Sequence, residues 1–126
     1  EGSQSGMSTD RLLLYLKEMD VAAARIRDFI QDMDEAAFSS DTRTQMAVMM
    51  GLALIGEAVA KLDRHYPAFL QQHPEIPWIK MKGMRNLIVH DYFRAELSVV
   101  WKTITQSIPD LQARLSLLRN WHAQGE

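Results

Sequence analysis

Four side chains that can carry out chemistry lie close together in residues 84–93, which read MRNLIVHDYF. Arg85, Asn86, His90 and Tyr92 are interleaved there with strongly apolar residues. An arginine guanidinium binds phosphate oxygens in a bidentate manner, and a histidine exchanges protons near neutral pH. The segment therefore suits chemistry on a phosphate group.

Helical geometry predicts how these side chains share one helix. At about 100° per residue, Asn86 and His90 are adjacent on one face, while Arg85 and Tyr92 lie almost in line. Arg85 and His90 are separated by roughly 140° around an ideal helix. They therefore converge on one ligand only at a helix edge, through a local distortion, or across a dimer axis.

The same region is rich in positive charge. Between positions 80 and 102 the cations outnumber the acids, with Lys80, Lys82, Arg85, Arg94 and Lys102 against Asp91 and Glu96. This excess predicts a local basic surface. The residues alone leave a structural alternative open, in which Arg85 forms a salt bridge on a helix face and His90 caps a helix C-terminus.

Other kinds of site find no support in the sequence. It has no glycine-rich phosphate loop, no paired histidines around a glutamate and no Gly-x-Ser-x-Gly elbow. The absence of cysteine excludes disulfides, thiolate metal sites and cysteine nucleophiles. His65, His73 and His122 stand alone and are expected to have no site role. We predict neither a metal site nor a cofactor.

The chain has the composition of one soluble domain. Its 126 residues suit a single hydrophobic core. Residues 1–6 resemble an expression-tag remnant, which leaves 7–126 as the domain. The formal net charge is -2, or -1 without Glu1, which is too small to attract nucleic acid by itself. The longest apolar stretch, from Met46 to Ala60, is too short to span a bilayer. No membrane segment and a cytosolic location are expected.

Apolar periodicity predicts four main helices with short helical turns between them. The first runs from Asp10 to about Asp32, and the second ends near Asp63. Ser39, Ser40 and Asp41 offer N-cap chemistry for the second helix, and Thr42 with Gln45 fits a capping box. Gly51 and Gly56 inside that helix indicate close approach by a neighbouring helix.

Prolines divide the rest of the chain. Pro67, Pro74 and Pro77 bracket a short helical turn over 68–72, and Pro77 suits the first position of the fourth helix. A last helical run begins near Ala95, and Pro109 is expected to break or kink it. No segment alternates as a strand would. The fold class expected is all-α, a single-domain up-down helical bundle.

The motif and its surroundings resemble a known family. Arg85, His90 and Tyr92 match the R-x4-H-x-Y motif of the HEPN superfamily, in particular its HepT-like branch. Ile55-Gly56-Glu57-Ala58 is similar to an I-G-E-A segment of that branch, and Ile76-Pro77-Trp78 and Pro109-Asp110-Leu111 continue the similarity. The resemblance covers roughly residues 10 to 118 in the same order.

The resemblance implies the toxin of a bacterial type VII-like toxin–antitoxin system. Such a protein is a HEPN-like helical homodimer and a metal-independent endoribonuclease that acts on RNA, such as tRNA or mRNA. Its partner is a minimal nucleotidyltransferase antitoxin. The alternative is a non-catalytic HEPN module that binds and is modified by the nucleotidyltransferase.

The same resemblance assigns roles to individual residues. Arg85 and His90 would form the catalytic pair, and Tyr92 would receive AMP from the antitoxin. Asn86 and Glu57 would support the site, although a buried or capped Glu57 that bonds Arg85 in the same chain is an equal alternative. Three cations, Lys80, Lys82 and Arg94, are expected to bind RNA.

Overall fold

A computed structural model describes the backbone of residues 2–125 and the side chains of residues 10–120. The predicted tag remnant 1–6 and His122 lie outside the described side chains. The helices are α1 (Gly2–Phe29), α2 (Glu35–Ser39), α3 (Thr42–His65), α4 (Pro67–Gln72), α5 (Trp78–Asp91), α6 (Leu97–Lys102) and α7 (Ile108–Gly125). A 3-10 turn, Tyr92–Arg94, follows α5, and a π-helical turn, Thr103–Ser107, joins α6 to α7. No strand occurs within residues 2–125, so the all-α prediction is confirmed.

The bundle is organised around α3. This helix packs against α1 on one side and α5 on the other, and α7 packs against α1. Apolar stripes meet in one core, whose fully buried members include Leu16, Met19, Ile26, Ile55, Leu62, Ile104 and Leu115. Phe38 of the short α2 stacks on Trp101 with ring centroids 5.3 Å apart. This contact ties α2 to α6 and closes one end of the core.

The end of α1 and the start of α3 differ in detail from the sequence predictions. α1 ends at Phe29, three residues before the predicted boundary, and Asp32 in the turn that follows has a left-handed φ of 67°. Asp41 is the N-cap of α3, and its Oδ1 accepts from the Thr44 N–H at 3.0 Å. The capping box between Thr42 and Gln45 was a wrong prediction. Gln45 is buried, and its Nε2 donates instead to the Phe38 carbonyl at 2.8 Å.

The segment before α5 fixes where that helix begins. Pro77 stands at the N-cap and Trp78 is the first helical residue, one position later than predicted. The indole N–H of Trp78 donates to the His73 carbonyl at 2.9 Å, and Ile76 is buried beside it. These two contacts anchor the start of the helix that carries Arg85 and His90.

The predicted break at Pro109 is absent, because the chain remains helical from Leu97 to Gly125. The irregularity is the π-helical turn Thr103–Ser107, which immediately precedes α7. In an α-helix, each carbonyl accepts a hydrogen bond from the N–H four residues later, and proline has no N–H to donate. A local π turn accommodates this loss without ending the helix.

By length and composition, α3 is apolar enough to cross a membrane, with a mean hydropathy of 1.4 over its best window. Of that window, 56% is buried within the bundle. The core helix of a bundle has this composition because it contacts neighbours on several sides.

Candidate active site

The site is built where α5 crosses α3 at Gly56. A Cβ atom at this glycine would lie 2.2 Å from the Cβ of Arg85 and 2.7 Å from the carbonyl oxygen of Met81. Only glycine permits this approach, because real Cβ atoms do not come so close to other atoms. Gly51 plays the same part against Ile26 of α1. The prediction that both glycines mark helix contacts is confirmed.

This close approach sets the position of Arg85. Its Nη2 lies 3.0 Å from Oε1 of Glu57, and its Nη1 donates to Oδ1 of Asn86 at 2.8 Å. The side chains of Arg85 and Glu57 are 30% and 43% exposed, so the ion pair lies at the surface rather than in the core. Arg85, Glu57 and Asn86 are therefore brought together as one cluster, in which Glu57 bonds Arg85 within the same chain.

His90 lies one to two turns further along α5 and is exposed. Among the described residues it forms no hydrogen bond or ion pair, so its two ring nitrogens are open to solvent. It does not contact Arg85, as the 140° separation on an ideal helix predicts. One chain therefore presents an anchored guanidinium and an open imidazole on different parts of α5.

Tyr92 follows the last residue of α5. Asp91 has φ -154° and ψ 55°, outside the helical region, so the regular helix ends before Tyr92. The tyrosine begins the 3-10 turn, is half-buried, and lines a cavity beside Met46 and Met49 of α3. Arg85 meets α3 at Gly56, seven residues beyond Met49. The side chains of Tyr92 and Arg85 therefore both lie along the line of contact between α3 and α5, the α3–α5 seam, about 10 Å apart along α3.

The predicted basic surface is offset by acids from α3. Lys82 Nζ lies 2.8 Å from Asp63 Oδ2, just as Glu57 engages Arg85. Arg94 Nε lies 3.4 Å from Asp91 Oδ2. Lys80 is exposed and, at about 140° from Arg85 on an ideal helix, faces away from the cluster. A count along residues 80–102 omitted Asp63 and Glu57, since these reach the region only through the fold.

Two features of the site went unrecognised in the sequence. Asp63 as partner of Lys82 had no local signal, being 19 residues away. The strong exposure of Phe93, at 94%, also had none, because a phenylalanine after Tyr92 fits equally well in a core. Within residues 10–120, no group of three or more His, Asp or Glu side chains is placed to hold a metal ion.

An all-α bundle that presents an anchored arginine and an open histidine on one helix has the features of the HEPN class. Comparison with known proteins agrees. The ribonuclease HepT-like family matches residues 19–118. The chain is 36% identical over 105 residues to a Thermococcus cleftensis protein named "Probable ribonuclease HepT", covering 83% of this chain and 93% of that one.

Two further relatives come from Methanocaldococcus jannaschii, and both are provisionally named as RNases. One is 26% identical over 112 residues, covering 89% of this chain and all of the relative. The other is 34% identical over 85 residues, covering 68% of each chain. No solved structure matches the chain. The chain belongs to the ribonuclease HepT-like family of the HEPN superfamily.

Proposed function

We propose that this chain is a metal-independent endoribonuclease with Arg85 and His90 as its catalytic residues. The observation that carries the proposal is the arrangement on α5. Arg85 is held at the Gly56 crossing by Glu57 and Asn86, whereas His90 is exposed and unpartnered within the described residues. An anchored cation and a free proton-transfer group are what cleavage at an RNA phosphate needs.

The reaction proposed uses the nucleophile that RNA carries. The 2′-hydroxyl loses its proton to a neutral His90 and attacks the adjacent phosphorus. The P–O5′ bond breaks, and the leaving oxygen takes a proton from a protonated histidine. The products are a 2′,3′-cyclic phosphate and a 5′-hydroxyl. Arg85 stabilises the additional negative charge on the phosphorane oxygens.

Arg85 reaches a phosphate by exchanging partners. Each of its terminal nitrogens has one partner in the free chain, the Glu57 carboxylate at Nη2 and the Asn86 side-chain oxygen at Nη1. Because the ion pair is partly exposed, breaking it costs only about 0.2–1 kcal/mol. The phosphate replaces that partner with charge-assisted hydrogen bonds of its own. Glu57 thus holds the guanidinium in place until the substrate arrives.

A homodimer supplies the second histidine. One His90 cannot easily serve as base and acid in the same step, and Arg85 and His90 do not meet within one chain. A wide, mainly apolar groove between α1 and α3 includes Glu57 in its lining, and Val21, Phe29, Met50 and Leu54 are exposed along it. Exposed apolar patches of this kind are typical of protein interfaces. We propose that a second copy covers this groove.

We further propose that the chain is the toxin of a cytoplasmic toxin–antitoxin pair and that Tyr92 is its control point. The Tyr92 oxygen attacks the α-phosphate of ATP bound to a minimal nucleotidyltransferase antitoxin, loses its proton and releases pyrophosphate. The attached AMP places a negative phosphate on the α3–α5 seam, about 10 Å from Arg85 along α3. Charge and bulk both oppose entry of RNA.

Cleavage is tested by incubating total RNA and tRNA with the purified protein in EDTA. We expect His90→Ala and Arg85→Ala each to abolish cleavage with little change in melting temperature, since both groups add little packing. His65→Ala, which removes an exposed histidine from α3, is the matched control. Wild-type protein that leaves RNA intact, or variants that cleave normally, would refute the proposal and favour the non-catalytic module.

The modification is tested by co-expression with a nucleotidyltransferase and measurement of intact mass. We expect one or more AMP additions on wild type and none on Tyr92→Phe, while Tyr15→Phe and Tyr66→Phe are modified normally. AMP found on another tyrosine, or a modified protein that still cleaves RNA, contradicts the regulatory part of the proposal.

A further inference from the structure

Phe93 is exposed in a position where its hydrophobic surface gains nothing from the fold. It lies in the middle of the 3-10 turn Tyr92–Arg94, and 94% of its surface is accessible. It is the most exposed of the large apolar side chains within residues 10–120. Exposure of a large aromatic side chain to water is unfavourable. A side chain of this kind next to a catalytic residue therefore suggests contact with something outside the chain.

The ring is held rather than loose. Its centroid is 5.2 Å from that of Tyr92 with an interplanar angle of 89°, an edge-to-face contact. The turn is closed by the Ala95 N–H, which donates to the Tyr92 carbonyl at 3.1 Å. Arg94 is tied to Asp91 by the ion pair at 3.4 Å. Phe93 thus presents ring surface to solvent on a short, braced turn.

The surroundings of the ring point to the chemistry of its ligand. Phe93 borders a cavity of about 280 Å³ that is mainly apolar and is also lined by Thr42, Gln45, Met46, Met49, Tyr92, Ala95 and Leu97. An exposed cation, Arg94, follows Phe93 directly. An open aromatic ring beside an apolar recess and a cation is the combination that binds an unpaired base and its phosphate.

We propose that Phe93 is a substrate-positioning residue that stacks on an RNA base next to the scissile phosphate. Phe93 follows His90 by three positions, so their Cα atoms are at most about 10 Å apart. A base on Phe93 therefore belongs to a nucleotide at or next to the one whose 2′-hydroxyl gives its proton to His90. This inference rests on the proposed role of His90, but the stacking itself is tested without catalysis. The larger apolar groove between α1 and α3 suits a second copy of this chain. We therefore assign Phe93 to the nucleic acid and not to the dimer contact.

Binding is measured in a His90→Ala background by fluorescence anisotropy with labelled single-stranded oligo(A), oligo(U) and a fully abasic RNA of equal length. We expect Phe93→Ala to weaken oligo(A) binding by about tenfold, because loss of one aromatic stack costs roughly that much. Oligo(U) should lose less, since pyrimidines have the smaller ring. Binding of the abasic RNA should not change. Phe93→Trp should bind within twofold of the parent, and Phe93→Leu should resemble Phe93→Ala.

Leu117→Ala is the matched control, because Leu117 is a 71% exposed apolar residue on α7. It should leave all three affinities unchanged. Equal losses on oligo(A) and abasic RNA, no loss at all, or a change in oligomeric state on light scattering would each overturn the assignment. Wild-type protein that binds with this pattern but does not cleave RNA would refute the proposed function alone. Cleavage that is insensitive to Phe93→Ala, with unchanged binding, would refute the stacking alone.

Discussion

Substitution of Gly56 by alanine tests whether the crossing of α3 and α5 positions the site. The new Cβ would lie 2.2 Å from the Arg85 Cβ and 2.7 Å from the Met81 carbonyl oxygen, both close to the α5 backbone. Ordinary contact needs about 3.5 Å, so the helices must separate locally by more than 1 Å. Overpacking costs about 1–3 kcal/mol, while removal of a helical glycine returns about 1 kcal/mol. The shortness of both contacts places the overpacking cost in the upper half of its range, about 2–3 kcal/mol, so we expect a net loss of about 1–2 kcal/mol.

This loss is measured by thermal unfolding against the chain's other described helical glycines. At roughly 4 °C per kcal/mol, Gly56→Ala should melt about 4–8 °C below wild type. Gly83→Ala is the matched control, because a Cβ there meets nothing within 4 Å; it should raise the melting temperature by a few degrees. Gly51→Ala should fall between the two, since its nearest neighbour is the flexible side chain of Ile26.

The same variant should also lose RNA cleavage, because a displacement of about 1 Å at a reacting group can cost roughly 100-fold in rate. If Gly56→Ala were as stable as Gly83→Ala, the packing argument would be refuted. If it were destabilised yet cleaved RNA at the wild-type rate, Arg85 would not depend on the crossing for its position.

Three further outcomes are expected. Glu57→Gln should tighten RNA binding about two- to fivefold in a His90→Ala background, because a partly exposed ion pair no longer competes with the phosphate; weaker binding would mean that Glu57 contributes more by holding Arg85 in place than it costs by competing with the phosphate. Leu54→Glu should dissociate the dimer at micromolar concentration on light scattering, whereas Leu117→Glu should not. The Asp41 carboxylate accepts hydrogen bonds from the Thr44 backbone N–H and hydroxyl, and these bonds lower its pKa below 3.8. The cap is therefore complete above that value and is lost as the pH falls through the lowered pKa. The melting temperature of wild type should therefore fall more than that of Asp41→Asn between pH 5 and pH 3, and parallel curves would contradict this.

Much of the fold follows from sequence periodicity. The long helices lie close to where the apolar spacing and the prolines predict them, since each helix buries one apolar stripe. Boundaries depended on finer chemistry. α1 ends at Phe29, ahead of a turn that contains the left-handed Asp32, and the N-cap of α3 is Asp41 rather than Thr42. These choices between neighbouring polar residues are decided by contacts such as that of Gln45 with Phe38, which lie outside the helix itself.

The candidate site was less predictable than the helix that carries most of it. The identities of Arg85, His90 and Tyr92 were available from their spacing and from the family resemblance, but helical geometry alone does not describe the chain after Asp91, which lies outside the helical conformation. A single residue with non-helical φ and ψ changes the direction of the chain after it. The 3-10 turn after α5, rather than helical periodicity, therefore sets the position of Tyr92 on the α3–α5 seam.

The charge of the site surface also depends on the fold, and this affects how the site attracts RNA. The three cations Lys82, Arg85 and Arg94 each have a carboxylate partner in the free chain, two of them supplied by α3. Such a surface attracts RNA weakly at long range, because paired charges cancel beyond a Debye length. Binding must then rely on short-range contacts that replace these partners. An exposed aromatic ring beside His90 supplies such a contact without a competing ion, which is why base stacking and phosphate binding are expected to act together at this site.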